Sequence, residues 1–141
     1  MKRKASAVWK GNLKDGKGGI STESGALKDT QYSFLTRFEN GVGTNPEELI
    51  AAAHAGCFAM AFAAELGKAG ITPESITATA AVTLDKTSAG WTVTESHLDV
   101  VAKVPGGNQS NVLGIANVAK AGCPISRLLN AKVTMDAKVE T

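Results

Sequence analysis

Two cysteines, two histidines and four prolines are all that 141 residues contain of those types. Two thiols cannot form the dense disulfide framework of a small secreted domain, and a chain of this length buries a core without one. Cys57 and Cys123 are therefore not expected to be a permanent staple, and any pairing between them should be transient and chemical. Net charge is small, +2, and the one basic block, Lys2-Arg3-Lys4, lies at the terminus. A nucleic-acid interface would need a marked basic face, so no nucleic-acid partner is expected. Ala5-Ser-Ala-Val-Trp9 is cut short by Lys10; without an apolar h-region no secretory leader is expected, and a cytoplasmic location is expected. Linkers, repeats and low-complexity segments are missing, which leaves a single domain over residues 1–141 as the expectation.

What is present is an ordinary globular composition, 43% hydrophobic and 20% charged. Ala5 to Leu13, Gly19 to Glu23 and Gln31 to Phe38 read as strands separated by glycine-bearing turns. Gly11-Asn-Leu-Lys-Asp-Gly-Lys-Gly18 comes within one residue of a phosphate-binding loop, but Gly18 stands where Ser or Thr is needed and no helix follows. A long helix begins at Asn45 as N-cap, with Pro46 in the first turn and Glu48 as capping-box partner, and stops at Gly70. From Leu49 to Ala64 it is apolar almost all round, so it is expected to be covered on most sides. The run is short for a membrane span and includes His54, so no membrane partner is expected.

Ile76 to Leu84 and Trp91 to Val104 alternate as a hairpin about Ser88-Ala-Gly90, and a change of phase near Ser96 predicts a bulge. A helix from Ser110 to Ala121 with Val112, Ile115, Val118 and Ala119 on one face, a short helix from Pro124 to Asn130 and a strand from Val133 to Val139 complete the chain. The order βββαββααβ predicts an α+β fold, with antiparallel sheets packed around a long central helix.

Cys123 precedes Pro124 at a helix start, where backbone N–H groups favour a thiolate and Arg127 could add to the effect. Cys57 lies within the long helix and must be activated by a side chain: His54 one turn earlier, or an Arg37–Glu47 ion pair whose guanidinium faces the sulfur. Cys57 follows Glu47 by ten residues, about 15 Å along the axis, so Glu47 cannot reach its own Cys57. If one site holds both, either Arg37 bridges the gap or a second chain supplies the pair, and the second case predicts an interwoven homodimer with shared sites. Phe58, Met60 and Phe62 either line an apolar pocket or belong to the core. Three other readings remain: a Cys57–His54 hydrolase, a zinc site drawn from the two histidines and two cysteines, and a non-catalytic binding or structural module.

Thr44-Asn-Pro-Glu-Glu-Leu-Ile-Ala-Ala-Ala-His-Ala-Gly-Cys-Phe58 and Lys120-Ala-Gly-Cys-Pro-Ile-Ser126 resemble the motifs of the osmotically inducible protein C / organic hydroperoxide resistance (OsmC/Ohr) family. Ser21-Thr-Glu-Ser-Gly25 and Thr36-Arg-Phe38 extend the resemblance through the chain. An arginine just before the long helix looks like the OsmC branch; the Ohr branch carries it much earlier, where this chain has Lys14 and Lys17. The resemblance implies an intertwined homodimer that reduces organic hydroperoxides with neither metal nor bound cofactor. It makes Cys57 the attacking thiol, Cys123 the resolving one and Arg37 with Glu47 the activating pair, and reverses the order of the two thiols that their local settings suggest. An external dithiol, a dihydrolipoyl group on a lipoylated protein in relatives, would then reduce the Cys57–Cys123 disulfide.

Overall fold

A computed structural model of the chain describes residues Met1–Thr141, which divide into two compact units, Met1–Leu49 and Ile50–Thr141. In the first, β1 (Ala5–Lys10), β2 (Lys17–Thr22) and β3 (Thr30–Tyr32) form an antiparallel sheet in that order. Gly18 is required in β2 because a Cβ there would overlap the Tyr32 ring. The strand expected over Gln31–Phe38 ends early, and Phe34–Phe38 forms a short helix, α1. Ser33 and Thr36 exchange side-chain and backbone hydrogen bonds in a capping box, and Phe34 stacks on Phe38 one turn on, at 4.9 Å between centroids. These local bonds outweigh the strand preference of Phe34 and Phe38.

Helix α2 spans Pro46–Lys68. Asn45 caps it, its Oδ1 accepting from the Glu48 N–H at 2.8 Å, while the Glu48 carboxylate takes the Thr44 hydroxyl at 2.7 Å. At 23 residues α2 is longer than the apolar run alone, and it meets the length and composition of a membrane span. Its stripe of His54, Phe58, Phe62 and Leu66 is nevertheless packed into protein. Within the single chain that stripe is the covered part: Ala52, Ala53, Gly56, Met60 and Ala63 face outward, and Met60 is 77% exposed. A single chain has one layer to lay against this helix, and one layer covers one stripe.

The second unit holds β4 (Ser75–Thr87), β5 (Gly90–Lys103), α3 (Gln109–Gly122), α4 (Pro124–Leu128) and β6 (Lys132–Glu140), with sheet order β4-β5-β6. β4 and β5 pair as an antiparallel hairpin, and the register shifts between Thr83 and Leu84, opposite Glu95 and Val93. That bulge turns Ser96, Leu98, Val100 and Ala102 inward. β6 runs parallel to β5, which corrects the all-antiparallel expectation. The two helices between them make the long crossover that a parallel pair needs. Phe58, Phe62, Leu66, Leu98, Val100, Val112 and Ala116 fill the core. Val118, expected on the buried face of α3, is exposed, and Ala116 takes the inner position.

Phe62→Ala is expected to cost about 3–5 kcal/mol in denaturant unfolding, against less than about 0.5 kcal/mol for Lys86→Ala on the exposed edge of the hairpin.

Candidate active site

Cys123 is at once the last residue of α3's C-terminal cap and the residue that opens α4. Pro124 has no N–H and cannot continue an α-helical ladder, so the chain breaks there. The Cys123 N–H reaches the Ala119 carbonyl at 2.9 Å, and its own carbonyl accepts from the Arg127 N–H at 3.0 Å. The sulfur so fixed lies 2.9 Å from the Cys57 sulfur on α2. Both are free thiols; Cys57 is half-buried and Cys123 is fully buried. A covalent bond would need about 2.05 Å, so a small adjustment joins them.

Burial is the first cause that pushes the Cys57 thiol up, and the Cys123 sulfur adds to it, against one backbone hydrogen bond at Ile125. Burial acts on Cys123 in the same sense but is outweighed there. The Cys57 sulfur 2.9 Å away and the polar groups of Ser126 and Ile125 at the start of α4 leave its pKa below the ordinary value. The setting of Cys123 at a helix start thus has the effect expected of it. Arg127, expected to help, is exposed and has no share in the shift. No cation contributes to the environment of Cys57.

In the first unit, Arg37 on α1 donates to Glu47 Oε1 through Nε at 3.1 Å and Nη2 at 2.8 Å. Its guanidinium also lies over the Phe38 ring, 5.4 Å from the centroid. The expected ion pair is therefore formed, with Glu47 well covered and Arg37 partly exposed. Arg37 borders an open depression of about 210 Å³ whose other walls include Trp9, Leu13, Tyr32, Phe34 and Phe38. Nothing in the linear pattern marked these as one apolar surface, because they come from three elements and the turn after β1. Of Phe58, Met60 and Phe62, weighed as pocket or core, Phe58 and Phe62 are fully buried core and Met60 is exposed.

His54 is held away from thiol chemistry of the hydrolase kind. Its Nδ1 lies 2.7 Å from Ser96 Oγ and its Nε2 2.8 Å from Ser126 Oγ, so neither nitrogen faces Cys57. Both serines were missed as site residues, although Ser126 stands in the quoted cysteine motif and Ser96 at the phase change of β5. The four-residue zinc reading has no geometry to support it, since both His54 nitrogens are engaged and His97 meets Thr134, Asp99 and Asp136.

Two free thiols in contact, one within reach of solvent and one sealed at a helix break, define a dithiol redox protein. The family model described as OsmC-like protein matches residues 38–138. The peroxiredoxin OsmC of Escherichia coli (strain K12) is 51% identical over 139 residues, 99% of this chain and 97% of that protein. Among solved structures, an organic hydroperoxide resistance protein OsmC from Legionella pneumophila is 26% identical with a TM-score of 0.68, covering 98% of this chain and 97% of that one. The organic hydroperoxide resistance protein OhrB of Bacillus subtilis, at 21% identity, shares the fold with a TM-score of 0.68 over 97% and 98% of the two chains. The chain belongs to the OsmC/Ohr family, in its OsmC branch.

Burial holds the His54 pKa below its ordinary 6.5. Below about pH 6.5 the unfolded chain takes a proton at this position that the folded protein refuses, so stability is full above that pH and is lost as pH falls through the depressed value. Thermal unfolding from pH 7.5 to 5 should show a loss that is smaller in His54→Gln; equal pH slopes for the two proteins would contradict this.

Proposed function

We infer that this protein is a thiol-dependent peroxidase that reduces organic hydroperoxides to alcohols. The observation that carries the reading is the Cys57–Cys123 contact, in which only one sulfur is open to a substrate. Exposure decides the order of the two thiols against their local electrostatics: a sealed sulfur cannot meet a peroxide, so Cys57 attacks and Cys123 resolves. Cys57 thiolate takes the terminal peroxide oxygen, the O–O bond breaks, and the alkoxide leaves and is protonated to the alcohol. Cys57 becomes a sulfenic acid, Cys123 displaces its oxygen as water, and a disulfide remains. A dithiol donor, of the dihydrolipoyl type on a lipoylated protein, then reduces it by exchange.

Ionising Cys57 needs a cation that its own unit does not offer. We assign that role to Arg37 held by Glu47, supplied by a second copy of the chain in an intertwined homodimer. The support is physical. α2 displays an uncovered apolar face of Ala52, Ala53, Gly56, Met60 and Ala63, which a two-fold partner helix would cover. Along α2, Glu47 and Cys57 are about 15 Å apart, too far for Glu47 to reach its own sulfur. The apolar depression beside Arg37 suits an alkyl chain better than hydrogen peroxide. Cytoplasmic reducing conditions would keep both thiols ready for a further cycle.

Cys57→Ser is expected to abolish consumption of cumene hydroperoxide. Co-expressed Cys57→Ser and Arg37→Ala chains separate the two versions of the site. A shared site restores about a quarter of wild-type activity, since half the dimers are mixed and each has one complete centre. A site built within one chain restores none.

A further inference from the structure

β5 turns Ser96, Leu98, Val100 and Ala102 into the core, where the thiols also pack, so Glu95, His97 and Asp99 stand on the opposite face of the sheet. β6 runs beside it in a register that sets Thr134 opposite His97 and Asp136 opposite Asp99. Polar side chains from two strands thereby meet on a face that the thiol chemistry does not use.

The hydrogen bonds fix how the His97 ring is presented. Thr134 donates its hydroxyl proton to Glu95 Oε1 at 2.9 Å, so toward His97 Nδ1, 2.6 Å away, the same oxygen can only accept. Nδ1 therefore carries hydrogen, and Nε2 points at Asp136 Oδ2 at 3.1 Å and Asp99 Oδ1 at 3.5 Å. In the neutral ring this sets a lone pair against two carboxylates, and the two carboxylates, directly opposite across the strand pair, also repel each other. No lysine or arginine relieves them: Lys138, next on this face of β6, is turned to Glu140 at 3.6 Å, and β4 presents Thr79 and Ala81. The point between the three donor atoms favours a cation.

Their spacing suits a metal ion. Ligand atoms about 2.1 Å from a tetrahedral zinc ion lie about 3.4 Å from one another. The two edges at the imidazole measure 3.1 and 3.5 Å, and all three donor atoms lie within 4.8 Å of one another. Asp99 and Asp136 are mostly exposed, so their carboxylates are free to close the third edge and water to complete the shell.

We propose that His97 Nε2, Asp99 and Asp136 form a binding site for a late first-row divalent cation of the zinc type, oriented from behind by Thr134 and Glu95. An imidazole nitrogen beside carboxylates favours such ions over calcium and magnesium, which take oxygen ligands. A histidine whose other ring N–H is tied toward a carboxylate has its tautomer and aim fixed for a metal, and here the Thr134 hydroxyl carries that link. The donors come from neighbouring strands, so bound metal ties β6 to β5. No step of the peroxide reaction passes through this site, and it stands whether or not the chain is a peroxidase.

Long-range proton–nitrogen NMR of the two imidazoles, recorded on the reduced full chain at pH 7.5 during addition of Zn2+, tests the proposal. Zn2+ should move the His97 Nε2 resonance and leave both nitrogens of His54, engaged by Ser96 and Ser126, in place. The free thiols also attract zinc, so the site is read at the ring itself and compared with variants on the outer face. Thr134→Val should raise the Zn2+ concentration that gives half the shift about tenfold and Asp136→Asn more, within the range for groups that support a metal ligand. Mg2+ at the same concentrations should leave the ring unmoved. A His97 Nε2 resonance that Zn2+ does not move overturns the proposal and leaves the cluster an ion pair of imidazolium with carboxylate. A shift at the same Zn2+ concentration in wild type and Asp136→Asn, or an equal response to Mg2+, also overturns it.

Discussion

The break between α3 and α4 is the constraint on which the site depends. Without Pro124 the two helices could run on as one, and Cys123 would point wherever its phase took it. With it, the Cys123 N–H closes α3 on Ala119 and the Cys123 carbonyl opens α4 toward Arg127. The sulfur is thereby held against α2 at the turn that carries Cys57. The crossover that contains this break is the same one that lays β6 parallel to β5. One stretch of chain thus positions the resolving thiol and completes the sheet beneath it.

Exposure and electrostatics divide the labour of the two sulfurs. Cys123 has the better donors and no access; Cys57 has access and a burial penalty that nothing in its own unit offsets. In the proposed dimer the cation comes from the second chain. Glu47 and Phe38 hold the Arg37 guanidinium, whose planar fork can bind a carboxylate and still aim donors elsewhere. The uncovered face of α2 supplies a reason for two chains to associate. In the proposed dimer, association and activation are one event.

Much of this was legible in the chain. The cap at Asn45, the alternation in β4, the phase change in β5 and the apolar run of α2 are local patterns, and each became the element it announced. Cys57 and Cys123 were legible through their motifs, and the Arg37–Glu47 pair through the need of Cys57 for a cation. The parts that were not legible depend on contacts remote in sequence. α1 was hidden because an aromatic alternation masked the Ser33–Thr36 cap. The direction of β6 is set by the crossover and by no residue within the strand. His54 joins Ser96 and Ser126, 42 and 72 residues away, and no spacing rule connects them. The apolar surface beside Arg37 likewise gathers Trp9 from β1 and Tyr32 from β3, which only strand pairing brings together.

The central claim is that the two sulfurs of one chain exchange a pair of electrons with a hydroperoxide. Intact mass and peptide mapping of reduced protein after one equivalent of hydroperoxide test it directly. The account predicts the loss of two hydrogens per chain and one cross-linked peptide joining Cys57 to Cys123 within that chain. Free thiols after the hydroperoxide has been added, or a disulfide linking Cys57 of one chain to Cys57 of another, would contradict it.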